Sequence, residues 1–189
     1  MNQVHPENKE LALGGQLPPA IFLVGFMGAG KTSVGRELAM LLGWSFVDLD
    51  DRVISRHGRS VADIFRDEGE AAFRELESRA LAEVISQARS GARAVIALGG
   101  GAYVQPDNSV VIRKTSFPVI FLDAEVDELR RRCAPDASVR PLFQDEAQFR
   151  TLYELRRAQY LQADVRVDTT AKSVDAVAAE ITRLLGMAK

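Results

Sequence analysis

The stretch GFMGAGKTS, from Gly25 to Ser33, constrains the fold of this chain more than any other part of its sequence. It fits the pattern G-x4-G-K-[ST], follows the short apolar run AIFLVG and precedes the amphipathic pattern SVGRELAMLLG. In such a loop, glycines let the backbone N–H groups turn toward phosphate oxygens, and the N-terminus of the following helix adds positive potential. The sequence therefore predicts a buried strand, a phosphate-binding loop and a helix, and this arrangement suits a nucleoside triphosphate.

Two side chains of this loop have specific expected contacts. Lys31 can bridge the β- and γ-phosphates, and the Thr32 hydroxyl can bind Mg²⁺. A glycine turn that carries a lysine by chance is the alternative, and the flanking strand and helix patterns argue against it. The residues that we expect to contact the nucleotide here are Gly28, Ala29, Gly30, Lys31, Thr32 and Ser33.

Strand and helix patterns alternate along the rest of the chain. Nearly continuous apolar strands that alternate with helices are typical of the α/β class, in which helices cover both faces of a parallel sheet. Ligands of such sheets bind at the carboxyl ends of the strands. Further strands are predicted at 44–50, 94–101, 118–124 and 165–169, and helices at roughly 61–90, 106–116, 125–133, 146–162 and 173–186.

Acidic residues end the second predicted strand, in the sequence VDLDD. Alternation along a strand places Asp48 and Asp50 on one side, where one acid can hold Mg²⁺ through water and the other can accept a proton from an attacking hydroxyl. One acid could instead cap the helix that begins near Arg52, and Asp51 suits the cap better. Asp123, at the end of the fourth strand, could serve as a metal-side acid, but we expect it to cap the next helix.

A second glycine cluster, LGGGA, ends the third predicted strand. Three consecutive glycines at a strand end have a large conformational entropy cost. They suggest that a ligand lies close to bare backbone amides there. A plain tight turn is the alternative.

The segments IFRDEGE and AFRELES echo each other at a spacing of eight residues. Each contains a Phe-Arg pair, so Arg66 and Arg74 compete for any role in binding an anion. Glu77 follows Arg74 by one helical turn and could orient its guanidinium toward a carboxylate. An ion pair on the helix surface is the alternative.

Length and composition limit the range of functions. The 189 residues are 47% hydrophobic, enough for the core of one globular domain. A net charge of −2 gives no long-range field for nucleic acid or an anionic membrane, so we expect small, local partners. Cys133 is the only cysteine, which excludes an intrachain disulfide and suits a reducing compartment. We therefore expect a cytoplasmic protein.

Two segments are predicted to differ from the rest of the chain. Residues 1–19 contain Pro, Gly and amide side chains without a signal-peptide pattern, so we expect a flexible arm ahead of a single domain at 20–189. No stretch approaches the roughly 18 consecutive apolar residues of a membrane span. Residues 133–147, CAPDASVRPLFQDEA, contain two prolines and mixed polarity, and we expect a mobile lid there.

Six ordered motifs closely resemble those of the shikimate kinase family. They are GFMGAGKTSVGRELA, VDLDDRV, RSVADIFRDEGEAAFRELE, LGGGA, VRPL and the R-x3-Y pattern from Arg156 to Tyr160. The resemblance runs from about residue 20 to residue 186. It implies a three-layer P-loop kinase fold with a five-stranded parallel sheet in the order 2-3-1-4-5. It also implies an enzyme that uses MgATP to phosphorylate the 3-hydroxyl of shikimate. Because most members of the family are monomers, we expect a monomer.

The resemblance implies a role for each motif residue. Arg74, rather than Arg66, would bind the substrate carboxylate together with Arg156. Arg132 would lie near the adenine, although a cation at a helix C-terminus also suits the helix dipole. The residues implied for catalysis are Lys31, Asp50 and Arg140, and those implied for Mg²⁺ are Thr32 and Asp48. ATP would contact the six residues from Gly28 to Ser33 together with Arg132 and Arg140. Shikimate would contact Asp50, Arg74, Gly99, Gly100, Gly101 and Arg156.

Two other functions remain open on the sequence alone. A kinase for another small hydroxy acid, such as gluconate, would share the fold, although paired carboxylate-binding arginines argue against a neutral polyol. A non-catalytic ligand-sensing module would need a DNA-binding helix-turn-helix, and residues 1–19 are too short and too polar to contain one. A GTP switch is disfavoured because the sequence has no Asn-Lys-x-Asp motif.

Overall fold

A computed structural model of the protein describes residues 17–133 and 145–187. Most of the expected N-terminal arm therefore lies outside the described residues. No helix within these two ranges is long and apolar enough to cross a bilayer. In this part of the chain, strands and helices follow each other as β1 Ala20–Val24, α1 Lys31–Leu42, β2 Ser45–Asp48, α2 Leu49–His57, α3 Val61–Arg89, β3 Ala94–Ala97, α4 Pro106–Arg113, β4 Val119–Asp123, α5 Val126–Cys133, α6 Glu146–Tyr160, β5 Val165–Asp168 and α7 Val174–Leu184.

The five strands are parallel and lie in the order β2-β3-β1-β4-β5, which confirms the predicted α/β class and strand order. Phe22 of the central strand β1 pairs with Ile96 of β3 on one side and with Val119 of β4 on the other. Strands β1, β3 and β4 are buried along their whole length, so their apolar runs are continuous and do not alternate. The carboxyl ends of β1, β2 and β3 lie side by side, so the loops that follow them meet.

Helices pack against the sheet and against each other around this core. Helix α1 contacts α7, and α2 contacts α3. An aromatic group attaches α6 to the loop after β1, because the Phe26 ring meets Phe149 edge-on at 5.1 Å and Tyr153 at 5.6 Å. Helix α6 is thereby held next to the phosphate-binding loop.

The segment VDLDD folds differently from the expectation. Strand β2 ends at Asp48 and α2 begins at Leu49, so Asp50 lies in the first turn of a helix and not on the strand. Asp48 caps α2 by accepting a hydrogen bond from the Asp50 backbone N–H at 3.1 Å. The expectation of Asp51 as the cap is therefore wrong. An acid at the strand end can satisfy a free N–H group of the helix, so the helix begins earlier than the apolar pattern indicates.

Helix α3 is interrupted at Gly69, whose φ of 82° and ψ of 173° are not helical. Glycine adopts this conformation without the steric cost that a Cβ would impose. The interruption separates the first part of α3, which contains Arg66, from the second part, which carries Arg74 and Glu77. The two Phe-Arg pairs thus have different surroundings, although the sequence places them on one helical segment.

Candidate active site

The loop between β1 and α1 is shaped by glycines. Gly25, Gly28 and Gly30 have φ values of 149°, 80° and 91°, a region that favours glycine. A Cβ at Gly28 would lie 2.8 Å from the Leu129 carbonyl oxygen, so the loop also approaches α5 closely. The N-cap of α1 is Gly30, which has no side chain to cap the first N–H groups of the helix. The first turn of α1 also contains no acidic residue. The N-terminus of α1 can therefore receive an anionic ligand.

Lys31 and Thr32 lie at the base of this loop. Lys31 Nζ donates to the carbonyl oxygens of Gly25 and Phe26 at 2.9 and 3.0 Å, so its ammonium lies within the curve of the loop. Thr32 Oγ1 donates to Asp48 Oδ2 at 2.9 Å, which brings together the two side chains that we expect to bind Mg²⁺. Mg²⁺ takes oxygen ligands and usually combines one or two protein groups with substrate phosphates, so this pair fits the ion.

A cavity of about 520 Å³ opens beside the phosphate-binding loop and is lined by residues of α5 and α7. Of the three consecutive arginines of α5, Arg132 contacts the loop, because it donates to the carbonyl oxygens of Gly28 at 3.4 Å and Thr169 at 2.7 Å. All three arginines pair with glutamates, Arg130 with Glu146 and both Arg131 and Arg132 with Glu128. The structure therefore distinguishes Arg132 from its two neighbours, which the run of three arginines by itself does not do.

The three glycines after β3 lie against side chains of the predicted substrate site. The site side chains occupy the space that a Cβ would need, and they come from three different helices, α2, α3 and α6. A Cβ added at Gly99 would lie 2.4 Å from Asp50 Oδ1. At Gly100 it would lie 3.3 Å from Arg156 Nη1, and at Gly101 it would lie 2.5 Å from Arg74 Nη2.

Arg74 is held by two carboxylates of its own helix. Its guanidinium donates to Glu77 Oε2 at 2.9 Å and to Glu70 Oε1 at 3.0 Å. Glu77 is buried, with 1% of its surface exposed, whereas Glu70 is exposed. Arg66, the competing arginine, pairs with aspartates on the protein surface. Arg74, and not Arg66, thus lies at the glycine cluster.

Helix α6 contributes Arg156 and Tyr160. Arg156 lies over the Phe26 ring, 5.9 Å from its centroid. The Tyr160 hydroxyl donates to the Gly100 carbonyl oxygen. Burial raises the pKa of Tyr160 to about 12, so the hydroxyl keeps its proton at neutral pH. These contacts attach the end of α6 to the glycine cluster.

Burial changes the acid–base properties of two carboxyl groups in the site. Burial, followed by the negative charge of Asp48, raises the pKa of Asp50 above its usual value, although Lys31 and Arg74 act in the opposite direction. Burial also raises the pKa of Glu77 to about 7, against the lowering effect of the Arg74 guanidinium. The raised pKa makes Asp50 a stronger base than an exposed aspartate.

Sequence reasoning missed a buried ion-pair cluster at the end of β4. Asp123 is 3% exposed, and its Oδ2 accepts from Arg157 Nη2 and from Arg166 Nε, each at 2.9 Å. Its Oδ1 accepts from the N–H of Ala124, which precedes α5, so the expectation that Asp123 caps α5 is wrong. The two arginines are 34 and 43 positions from Asp123 and leave no local signal. An acid that ends an apolar strand was the only indication.

Arg140 and residues 134–144 of the expected lid lie outside the described residues. In the described ranges, the remaining predicted site residues lie in two adjoining groups, one around the phosphate-binding loop and one around the glycine cluster. A nucleotide and a small anion can therefore bind next to each other at one edge of the sheet. This arrangement defines a P-loop kinase that acts on a small molecule.

The chain belongs to the shikimate kinase family, whose model matches residues 27–186. It is 45% identical to a shikimate kinase of Symbiobacterium thermophilum over 170 residues, which cover 87% of this chain and 95% of that protein. A shikimate kinase of Synechococcus elongatus is 43% identical over 150 residues, covering 78% of this chain and 75% of that protein. The solved structure of an Acinetobacter baumannii shikimate kinase in complex with shikimate has a TM-score of 0.81 and 35% identity, and the match covers 89% and 93% of the two chains. The protein is an ATP-dependent kinase.

Proposed function

We propose that this protein transfers the γ-phosphoryl group of ATP to the 3-hydroxyl of shikimate and releases shikimate 3-phosphate. This reaction is a step of aromatic amino acid biosynthesis. The observation that carries the proposal is the meeting of Asp50, Arg74 and Arg156 at the glycine cluster, beside the phosphate-binding loop. Shikimate is a small carboxylate with three hydroxyl groups, so it requires cations at one end and hydrogen-bond acceptors at the other. Family membership supports the same acceptor.

In this proposal, Arg74 and Arg156 bind the substrate carboxylate. A planar guanidinium can bind a carboxylate through two parallel hydrogen bonds, which orients the substrate as well as holding it. Arg74 is oriented in advance by Glu77, and Arg156 by the ring of Phe26. The hydroxyl end of the substrate is then directed toward the phosphate-binding loop.

Asp50 accepts the proton of the attacking hydroxyl as the oxygen–phosphorus bond forms. Its raised pKa supports this role, because proton transfer to a stronger base is more favourable. Lys31 supplies positive charge to the phosphates, and Arg140 is expected to add a further cation. Positioning and charge stabilisation provide most of the rate acceleration in transfers of this kind.

Thr32 and Asp48 hold Mg²⁺ in this proposal, and Arg132 lies near the adenine. The hydrogen bond between Thr32 and Asp48 supports the metal assignment, because two oxygen ligands lie together beside the loop. When bound, Mg²⁺ neutralises part of the charge of the β- and γ-phosphates. The contacts of Arg132 with Gly28 and Thr169 support its assignment to the nucleotide.

The enzyme is proposed to act as a monomer in the cytoplasm, with one catalytic domain at 20–189. The proposed site residues within the described ranges meet inside one chain, which supports a monomeric enzyme. The single cysteine supports the location, and the small net charge supports the absence of nucleic-acid and membrane partners. Sedimentation of the purified protein at micromolar concentration tests the monomer.

The test of the proposed function is ADP release from MgATP in the presence of shikimate, quinate or gluconate. Strong stimulation by shikimate alone is the expected result. Stimulation by gluconate instead would contradict the assignment of shikimate as the acceptor, but the protein would still be a small-molecule kinase. If no acceptor stimulates ADP release while ATP still binds, the ligand-sensing alternative becomes the better explanation.

The carboxylate clamp is tested by a matched pair of arginine substitutions. Arg74→Gln is expected to raise the KM for shikimate by about 100-fold, because a charge-assisted contact from a half-buried guanidinium to a carboxylate is lost. Arg66→Gln removes the arginine of the other Phe-Arg pair, which is exposed, and should leave the KM within about twofold. An unchanged KM in Arg74→Gln would remove Arg74 from the clamp.

A further inference from the structure

Glu77 is a buried acid, and the proposed function does not explain the surroundings of one of its two carboxylate oxygens. One of its oxygens, Oε2, accepts a hydrogen bond from Arg74 Nη1 at 2.9 Å. The other, Oε1, has no hydrogen-bond partner in the described part of the chain, and only 1% of the residue is exposed. A buried carboxylate oxygen without a donor is unfavourable, so the free enzyme keeps an unsatisfied hydrogen-bond acceptor beside the substrate site.

The unsatisfied oxygen faces a second carboxylate. A Cβ at Gly99 would lie 3.0 Å from Glu77 Oε1 and 2.4 Å from Asp50 Oδ1, so both oxygens approach the same point beside the glycine cluster. The positive charge of Lys31 lowers the pKa of Asp50 and so favours its ionised form. The titratable and charged groups that face Glu77 are Arg74 on its own helix α3, Asp50 on α2, and Arg156 and Tyr160 on α6.

Binding of the substrate brings a third carboxylate to this place. Under the proposed function, on which this inference rests, the shikimate carboxylate binds Arg74, the same guanidinium that neutralises Glu77. Two carboxylates would then share one cation, with Asp50 adding further negative charge nearby. Like charges in a buried site disfavour the ionised form of one of them. One proton gained for each carboxylate that arrives would keep the total charge of the site constant.

We propose that Glu77 is a positioning residue that frees the charge of Arg74 for the substrate carboxylate by taking up a proton from solvent as shikimate binds. The new O–H bond forms at Oε1, which gains a hydrogen that it can donate. Oε2 remains a carbonyl oxygen that accepts from Arg74, so the arginine stays oriented. The pKa of about 7 for Glu77 in the free enzyme supports this, because little further change is needed to protonate the group at neutral pH.

Calorimetry of shikimate binding, without nucleotide, tests the proposal. The binding heat is measured at pH 7.5 in phosphate and in Tris, and the difference between the buffers gives the number of protons taken up. We expect about half a proton or more per shikimate in the wild type and nearly none in Glu77→Gln, whose amide oxygen can still accept from Arg74. Glu70→Gln is the matched control, because it removes an exposed carboxylate from the same guanidinium and should keep the uptake.

Uptake that is absent from the wild type, or equal in Glu77→Gln, would overturn the proposal. A purely structural role predicts weaker binding in Glu77→Gln without a change in proton number. If Glu77→Gln does not fold, the infrared difference spectrum of the wild type decides: shikimate should produce a new band of a protonated carboxyl group, and its absence overturns the proposal. Shikimate that neither binds nor stimulates ADP release would instead contradict the proposed function itself.

Discussion

At the scale of single residues, two sets of glycines serve different purposes. Gly28 and Gly30 have positive φ values, so the phosphate-binding loop needs their backbone freedom. None of Gly99, Gly100 and Gly101 has a positive φ, and there the requirement is space for the side chains of the site. Substitution by alanine in the second set therefore tests the site without straining the backbone.

Gly101→Ala is expected to raise the KM for shikimate at least about tenfold, because its Cβ would lie 2.5 to 2.7 Å from three atoms of the Arg74 guanidinium. The arginine end can move, so folding should be retained, but small displacements of a binding group have large effects. Gly100→Ala, with its nearest atom at 3.3 Å, should raise the KM less. Steady-state kinetics should show an unchanged KM for MgATP in both variants. The reverse ranking of the two variants would contradict this account of the cluster.

At the scale of secondary structure elements, α6 is fastened at two places. Arg156 and Arg157 are neighbours in the sequence but contact different groups: Arg156 lies over Phe26, and Arg157 bonds to Asp123. The Tyr153 hydroxyl, one turn earlier, donates to the Ala124 carbonyl oxygen at 3.2 Å. The end of β4 therefore fixes the helix that carries one arginine of the proposed clamp.

Asp123→Asn is expected to lower the free energy of unfolding by about 2 kcal/mol, because it leaves two guanidinium groups without their shared countercharge. This value is below the full cost of breaking a buried pair, since Arg157 and Arg166 are 26% and 34% exposed. Asp127→Asn, which removes one of the two acidic partners of Arg150 from an exposed pair, is the control and should cost less than about 0.5 kcal/mol. Urea unfolding compares the two. An equal loss in both variants would show that the cluster does not stabilise α6.

At the scale of the whole molecule, the active site makes stability depend on pH. Burial raises the pKa of both Asp50 and Glu77 in the folded protein. At these two groups the folded state binds protons more strongly than the unfolded chain, so their contribution to stability falls as the pH rises. For Glu77 the decrease occurs between its ordinary pKa of 4.5 and about 7.

Glu77→Gln should remove this part of the pH dependence. Relative to the wild type, the variant is expected to gain roughly 3 kcal/mol of stability between pH 4.5 and pH 8, because its amide carries no charge to bury. Glu128→Gln provides a control of opposite sign: hydrogen bonds from Arg131 lower the pKa of Glu128 to about 2, so its contribution is lost as the pH falls. Urea unfolding at several pH values measures both. Parallel curves for the wild type and Glu77→Gln would refute the prediction.

Much of the fold could be predicted because it depends on local patterns. The phosphate-binding loop was evident from the spacing of Gly25, Gly30 and Lys31, and the parallel sheet from apolar strands that alternate with helices. The boundaries were less certain where a strand passes directly into a helix. The Asp48 side chain caps α2 directly after the strand, so Asp50 lies in the first turn of α2 and not in the predicted strand.

By itself, then, the sequence determined the class of fold, the nucleotide loop and, through the family motifs, the set of residues expected at the site. Only the tertiary structure decided how Asp123 pairs, which carbonyl groups Arg132 contacts, and that Glu77 is buried against a second carboxylate. These features depend on contacts between residues far apart in the chain. Burial and charge at such contacts follow from the packing of α3, α5 and α6 around the sheet, and no local spacing encodes them.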